Sequence, residues 1–189
     1  MWLAPIVSAR NQSDARIVYL EVMETATLVP VEEYLRTHYD PDCEYVDRRI
    51  VERNLGEIPH SSIQGAVVGY FFTREKKLGI RALPEQRVQV SRTRFRIPDV
   101  TVLRLPLLDD RIVTTPPFIC IEILSKDDTM EYMQEKIDDY LNFGVPYVWI
   151  INPRSKKAYV VTKTGMVEAP ERLETQDPAI SLPLAELFE

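Results

Sequence analysis

The strongest constraint on the fold is a short apolar run, FICIEIL, at residues 118–124. This length is typical of a strand, and apolar residues at nearly every position predict a strand covered on both faces. Such a strand lies inside a sheet that has helices packed against it. Its only charged residue, Glu122, is therefore predicted to be buried, where an unpaired carboxylate costs several kcal/mol.

The rest of the chain alternates between helical and strand-like segments. Helical spacing of apolar residues predicts helices over 31–38, 60–78 and 128–143. A hairpin is predicted over 43–53, with strands over 80–83, 87–90, 94–103, 147–151 and 158–162. The tail from Glu168 is expected to pack only through Leu182, Leu184, Leu187 and Phe188. The predicted fold is α/β or α+β, with a mixed central β-sheet flanked by helices.

Composition and termini give coarser expectations. Residues 23–34 read like a natural protein start, so residues 1–22 are expected to be an upstream extension. For the domain organisation we expect an N-terminal extension over 1–27 and a single domain over 28–189. The two cysteines, Cys43 and Cys120, lack metal-site spacing, which favours a reduced, cytoplasmic setting. The longest uncharged apolar stretches reach about a third of a membrane span, so no transmembrane helix is predicted.

Charge is distributed unevenly along the chain. The net charge of -6 argues against a protein that binds nucleic acid over its whole surface. Residues 74–104, however, contain nine basic and three acidic residues, a local charge of +6. A positive surface of this kind could contact a phosphate backbone. A solvated strand face with arginines for solubility explains the same charges.

Two acidic residues lie within predicted strands. Asp99 comes directly after Pro98, and Glu122 lies within the apolar strand. Neighbouring strands that each present a carboxylate can bind a hard divalent cation such as Mg²⁺, with water completing the coordination shell. On the residues alone, a turn acid at Asp99 and an ion-paired Glu122 explain the pattern equally well.

Lys136 follows Glu122 by 14 residues and lies on the predicted helix 128–143. It is three residues after Met133 and four before Tyr140, so it borders the apolar face of that helix. Its ammonium could extend over the carboxylates and stabilise negative charge on a phosphate. By spacing alone, a surface lysine with a buried stem is the better-supported interpretation.

Several motifs together resemble a known nuclease family. These are Pro98-Asp99, the segment EILS at 122–125, and QEKIDDYLNFGVPYVWIINPR at 134–154, with EEYL at 32–35 and DCEYVDRRIVERNLGE at 42–57 further upstream. In this order they are similar to the Uma-two family of restriction-type endonucleases, within the PD-(D/E)XK nuclease superfamily. The resemblance spans roughly residues 28–161 and implies a restriction-endonuclease-like fold.

The resemblance also implies a site. Asp99, Glu122 and the backbone carbonyl of Ile123 would ligate Mg²⁺, for which Mn²⁺ could substitute. The superfamily's usual lysine position is Leu124 here, and in this family the lysine has moved to the next helix, which implies Lys136. Glu44 would be a further metal or water ligand, and His60 matches a recurrent histidine of unassigned role.

The implied activity is Mg²⁺-dependent DNA hydrolysis by an endonuclease that acts as a homodimer. The arginines Arg87, Arg92, Arg94 and Arg96, here called the arginine stripe, would face DNA. The alternative is a non-catalytic module of the same fold that binds DNA or another protein. The complete set of Asp99, Glu122 and Lys136 favours the enzyme, because loss of activity would be expected to remove one of them.

Overall fold

A computed structural model of the chain describes residues 28–54 and 56–188. The predicted extension over 1–27 lies outside the described residues. The helices are α1 (Val31–Arg36), α2 (Ile58–Phe72), α3 (Glu75–Leu78) and α4 (Met130–Phe143). The strands are β1 (Glu44–Val46), β2 (Arg49–Val51), β3 (Ile80–Pro84), β4 (Val88–Ser91), β5 (Arg94–Arg96), β6 (Val100–Arg104), β7 (Ile119–Ile123), β8 (Tyr147–Asn152), β9 (Lys157–Thr162), β10 (Gly165–Ala169), β11 (Arg172–Glu174) and β12 (Ser181–Pro183).

The larger sheet has six strands in the order β10-β9-β8-β7-β6-β3. Its one parallel pair is β7 with β8, and α4 connects these two strands in a crossover. The other pairs are antiparallel, so the sheet is mixed as predicted. Strand β7 is buried at all of its positions, which confirms the interpretation of the apolar run.

The alternation of side chains along β7 separates two cores. Ile119, Ile121 and Ile123 belong to the apolar cluster that contains the buried residues of α2. Cys120 belongs to the cluster under α4, on the opposite face of the sheet. Glu122 has the same parity as Cys120 and therefore points toward α4.

Helix α4 turns its apolar face onto that side of the sheet. Thr129 caps its start by accepting a hydrogen bond from the Tyr132 amide at 3.2 Å, and Gly144 ends it with a φ of 108°. The buried positions of α4 are Met133, Lys136, Ile137 and Tyr140. Lys136 thus lies within the buried face that it was predicted to border.

A second, smaller sheet has the order β2-β1-β5-β4 and is entirely antiparallel. Tyr34 from α1, Tyr45 from β1 and Phe95 from β5 form its apolar cluster, with the Tyr34 and Tyr45 rings stacked at 4.9 Å. The hairpin predicted over 43–53 is confirmed as β1 and β2.

The single strand predicted over 94–103 is wrong. The chain breaks after Arg96, so that β5 belongs to the small sheet and β6 to the large one. Pro98 lies at this corner, and because it has no N–H it cannot extend a hydrogen-bonded ladder. The corner places Asp99 directly between the two sheets.

The single helix predicted over 60–78 is also wrong, since it divides into α2 and α3 at Thr73 and Arg74. After the break Glu75 turns toward β3, where its carboxylate accepts a hydrogen bond from the Ala82 amide at 3.1 Å and pairs with Arg81 at 2.8 Å. These contacts stabilise the bend. Local helical spacing contains no information about them.

The tail is more ordered than predicted. Beyond β10, strands β11 and β12 form a two-stranded sheet. The predicted contacts are present, because Leu182, Leu184 and Leu187 join the main apolar cluster and Phe188 packs against it. In the described part of the chain, no helix combines the length and apolarity needed to cross a bilayer.

Candidate metal centre and nuclease site

A cleft of about 260 Å³ opens where the two sheets meet. It is bounded by the segment after β2, the start of α2, the corner before β6, the end of β7 and the first turns of α4. Asp99, Glu122, Ile123, His60 and Lys136 all line it. A cavity of about 330 Å³ under the 105–117 loop is lined mainly by apolar side chains and contains none of these residues.

Asp99 is held at the cleft by three donors. Its Oδ1 accepts a hydrogen bond from Arg53 Nη2 at 3.0 Å, and its Oδ2 accepts one from the Ile123 amide at 2.7 Å. The Nε2 atom of His60 lies 3.2 Å from Oδ2. Burial would raise the pKa of Asp99, but the His60 hydrogen bond and the positive charge of Lys136 outweigh it and lower that pKa. Asp99 is therefore ionised.

Glu122 is bonded to two residues of α4. Lys136 Nζ lies 2.7 Å from its Oε2, and the Tyr140 hydroxyl donates to its Oε1 at 2.5 Å. Burial raises the pKa of Glu122 to about 7 although Lys136 opposes the shift. Burial would lower the pKa of Lys136, but the charges of Glu122 and Glu44 raise it, so Lys136 is a buried ammonium.

Glu44, predicted as a further metal or water ligand, has its carboxylate oxygens occupied by contacts with the protein. Its Oε1 accepts from the Ile97 amide at 3.0 Å and lies 3.2 Å from Lys136 Nζ. Its Oε2 accepts from Arg96 Nη1 and from the Tyr132 hydroxyl, both at 2.8 Å. A carboxylate has about four acceptor sites, and all four are used by the protein. Glu44 is also fully buried and is not part of the cleft lining.

Three residues of the arginine stripe are held in ion pairs. Arg96 has no exposed side-chain surface and pairs with Glu44 at 2.8 Å and with Asp139 at 2.6 Å; its role as a DNA contact stays a prediction, which this geometry does not support. Arg87 pairs with Asp42, and Arg94 pairs with Glu135 and Asp139. Within the described residues, Arg92 alone of the four is exposed without an ion pair.

His60 lies in the first turn of α2 and faces the cleft. Its hydrogen bond with Asp99 raises its pKa, an effect that burial opposes. Its Nδ1 atom is buried and has no hydrogen-bond partner in the described part of the chain. The geometry shows His60 as a contact of Asp99, a role that the sequence left unassigned.

The donor set fits a hard divalent cation. Within residues 28–54 and 56–188, no three His, Cys, Asp or Glu side chains form a metal centre by themselves. Two carboxylates and a backbone carbonyl, with water for the remaining positions, are nevertheless a set that Mg²⁺ accepts. Asp99 Oδ1 and both oxygens of Glu122 each accept one protein hydrogen bond and retain acceptor capacity.

Four residues of the site were not predicted as site residues from the sequence. Arg53 orients Asp99, and Tyr140, predicted only as part of the apolar face of its helix, bonds to Glu122. Tyr132 bonds to Glu44, and Asp139 pairs with Arg96. The only sequence signal for Arg53 is its position within the matched segment 42–57. Tyr132 and Asp139 lie on α4 at the positions flanking its buried face, where polar residues are ordinary.

Comparisons with known proteins agree with this fold. A crystal structure of a "putative nuclease belonging to DUF820" from Anabaena variabilis ATCC 29413 is 23% identical, with a TM-score of 0.72 over 85% of this chain and 97% of that one. A DrdV–DNA complex determined by cryo-electron microscopy is 15% identical over 57% of this chain and 10% of that one, and its TM-score of 0.40 is too low to indicate a shared fold. No curated protein matches the chain.

The family comparison is more specific. Residues 31–188 match the Uma2 family model, which is described as "Putative restriction endonuclease". The match covers most of the chain and confirms the resemblance found in the motifs around Asp99, Glu122 and Lys136. The mixed sheet and its flanking helices confirm the predicted fold class. The chain belongs to the Uma2 family.

Proposed function

We propose that this protein is a Mg²⁺-dependent DNA endonuclease of the cytoplasm that acts as a homodimer. The observation that carries the proposal is the buried ammonium of Lys136, 2.7 Å from Glu122 in a cleft that Asp99 also lines. The family description and the nuclease-type fold support hydrolysis of nucleic acid. The homodimer is proposed because cutting both strands of DNA requires two sites.

Asp99, Glu122 and the carbonyl of Ile123 are the groups that would hold the metal. When bound, Mg²⁺ supplies Lewis-acid polarisation of the phosphodiester. Arg53 and His60 fix the orientation of Asp99 through its two carboxylate oxygens. Tyr140, which is fully buried, fixes Glu122 by donating a hydrogen bond from its hydroxyl to Oε1.

Lys136 would provide the positive charge for the reaction. Its ammonium is largely removed from water, where a fixed charge interacts more strongly with developing negative charge than it does in solution. It lines the cleft, so a phosphate entering the cleft can contact it. Lys136 would thus stabilise the negative charge that forms on the phosphate oxygens.

Cleavage of supercoiled plasmid DNA tests this function. We expect nicked and linear products with Mg²⁺ or Mn²⁺ and none with EDTA. Asp99→Asn keeps one carbonyl oxygen but removes the charge of a proposed metal ligand. We expect it to be roughly 100-fold slower or more, because a bound metal stabilises the transition state by several kcal/mol. Glu168→Gln, an exposed carboxylate paired only with Lys157, should cleave like the wild type.

One observation favours the alternative, a non-catalytic module that binds DNA or protein. Every oxygen of Asp99 and Glu122 already accepts a hydrogen bond from the protein, so the acids could have a structural role alone. If DNA is bound but not cleaved with any divalent ion, the alternative is correct.

Metal binding can be tested without DNA. Mg²⁺ or Mn²⁺ at about 100 times its Kd should stabilise the wild type by about 2.7 kcal/mol, because it binds the folded state only. Thermal unfolding would measure this, and Glu122→Gln should lose most of the rise in Tm caused by the metal. An equal rise in both proteins would place the ion elsewhere and remove the argument for this site.

A further inference from the structure

We propose that Glu44 is a positioning residue that holds the ammonium of Lys136 at the cleft. The inference rests on the proposed function of Lys136 and concerns how that function is achieved. Lys136 Nζ lies between two carboxylates, 2.7 Å from Glu122 Oε2 and 3.2 Å from Glu44 Oε1. Only Glu122 lines the cleft, so only Glu122 is available to a ligand there.

The two carboxylates belong to different parts of the fold. Glu44 is the first residue of β1 in the small sheet, and Glu122 lies in β7 of the large sheet. A lysine ammonium is a point charge on a flexible four-carbon stem, so one carboxylate does not define its position. Two carboxylates that approach from different sheets do define it.

Glu44 is itself immobile. The Ile97 amide fixes Oε1, while the Arg96 guanidinium and the Tyr132 hydroxyl fix Oε2. Arg96 is in turn held by Asp139 at 2.6 Å, and Asp139 is on the same helix as Lys136. The chain of contacts therefore leads from α4 through Arg96 and Glu44 back to Lys136, and it needs no ligand to be complete.

The consequence concerns Glu122. If Glu122 binds a cation, its hold on Lys136 weakens, because the cation and the ammonium compete for the same carboxylate. Glu44 has no capacity left for a cation and does not face the cleft, so its hold on Lys136 is unaffected. Glu44 would thus keep the ammonium in place when the site is loaded.

A double-mutant cycle tests this role. The variants are Glu44→Gln, Lys136→Met and the double variant, compared by the rate of DNA cleavage at saturating DNA and Mg²⁺. Glu44→Gln should be roughly ten-fold slower or more, the range found when a group that orients a functional residue is removed. If Glu44 acts through Lys136, the double variant should be no slower than Lys136→Met alone.

Glu75→Gln is a matched control. Glu75 is another buried carboxylate that pairs with an arginine and accepts a backbone N–H, but it lies at α3, outside the cleft. It should alter stability without altering the cleavage rate. Should Glu44→Gln fail to fold, Glu44→Asp retains the charge but shortens the side chain, and it should show a smaller loss that again disappears in the Lys136→Met background.

A second measurement does not depend on activity. The ammonium of Lys136 should give a slowly exchanging NMR signal in the wild type, which should broaden or disappear in Glu44→Gln and persist in Glu75→Gln. Additive losses in the cycle, or an unchanged Lys136 signal in Glu44→Gln, would overturn the positioning role. Absence of any cleavage by the wild type would overturn the proposed function instead, and the NMR signal would still decide on Glu44.

Discussion

Replacing Lys136 with methionine is expected to slow DNA cleavage about 10²- to 10³-fold at saturating DNA and Mg²⁺. Methionine fills the same space in the buried face of α4 without the charge. The pKa of Glu122, which burial raises to about 7, is lowered by Lys136 and will rise further without it. In the absence of metal, Glu122 can therefore take up a proton instead of remaining an unpaired buried charge, and the variant should fold. Single-turnover cleavage measures the loss.

Lys126→Met is the control for this prediction. Lys126 is the other lysine near the end of β7, but it is exposed and pairs with Glu57 at 2.5 Å. Solvent screens an exposed charge of this kind, so its removal should leave the rate near that of the wild type. The opposite ranking of the two variants would assign the charge-stabilising role to Lys126, and small equal losses would exclude both.

Replacing Arg96 with methionine is expected to destabilise the protein by about 3–5 kcal/mol, the range for breaking a buried ion pair. Arg96 has no exposed surface, and its loss leaves Glu44 and Asp139 without their shared partner. Urea unfolding would show the effect as a lower midpoint at an unchanged slope.

Arg92→Met is the matched control, because Arg92 is an exposed arginine of the same stripe. Its stability should remain within about 0.5 kcal/mol of the wild type, as is usual for surface positions. A stable Arg96→Met protein that has lost DNA binding would restore the sequence-based assignment of Arg96 to the DNA surface.

The sequence predicted those features that have a local signature. A buried central strand is apolar at nearly every position. Strand β7 and its one charged residue, Glu122, could therefore be recognised from the seven residues 118–124. Of the residues that contact Glu122, the sequence analysis identified Lys136 as a candidate partner, because Lys136 lies on the helix that follows the strand. The helical repeat indicates its proximity to the buried face of α4.

The arginine stripe shows what a count of charges leaves out. Counting charges in a window treats each arginine as free, but the partners of Arg96 are Glu44 and Asp139, which are 52 and 43 residues away. The single strand predicted across Pro98 is wrong for a related reason. Residues 94–103 are strand-like on both sides of Pro98. The proline indicates a break, but only the assembled fold decides that β5 and β6 join different sheets.

The corner between the sheets has a mechanical consequence. Lys136 bonds to a carboxylate from each sheet, and Arg96 ties the small sheet to α4. The small sheet cannot swing away from the large one without pulling the ammonium from Glu44 and exposing charges that are now paired. The ion pairs of the site thus also hold the two sheets together. A distant substitution that shifts the small sheet relative to the large one would also shift the ammonium of Lys136. Under the proposed function, it would thereby lower the rate of cleavage.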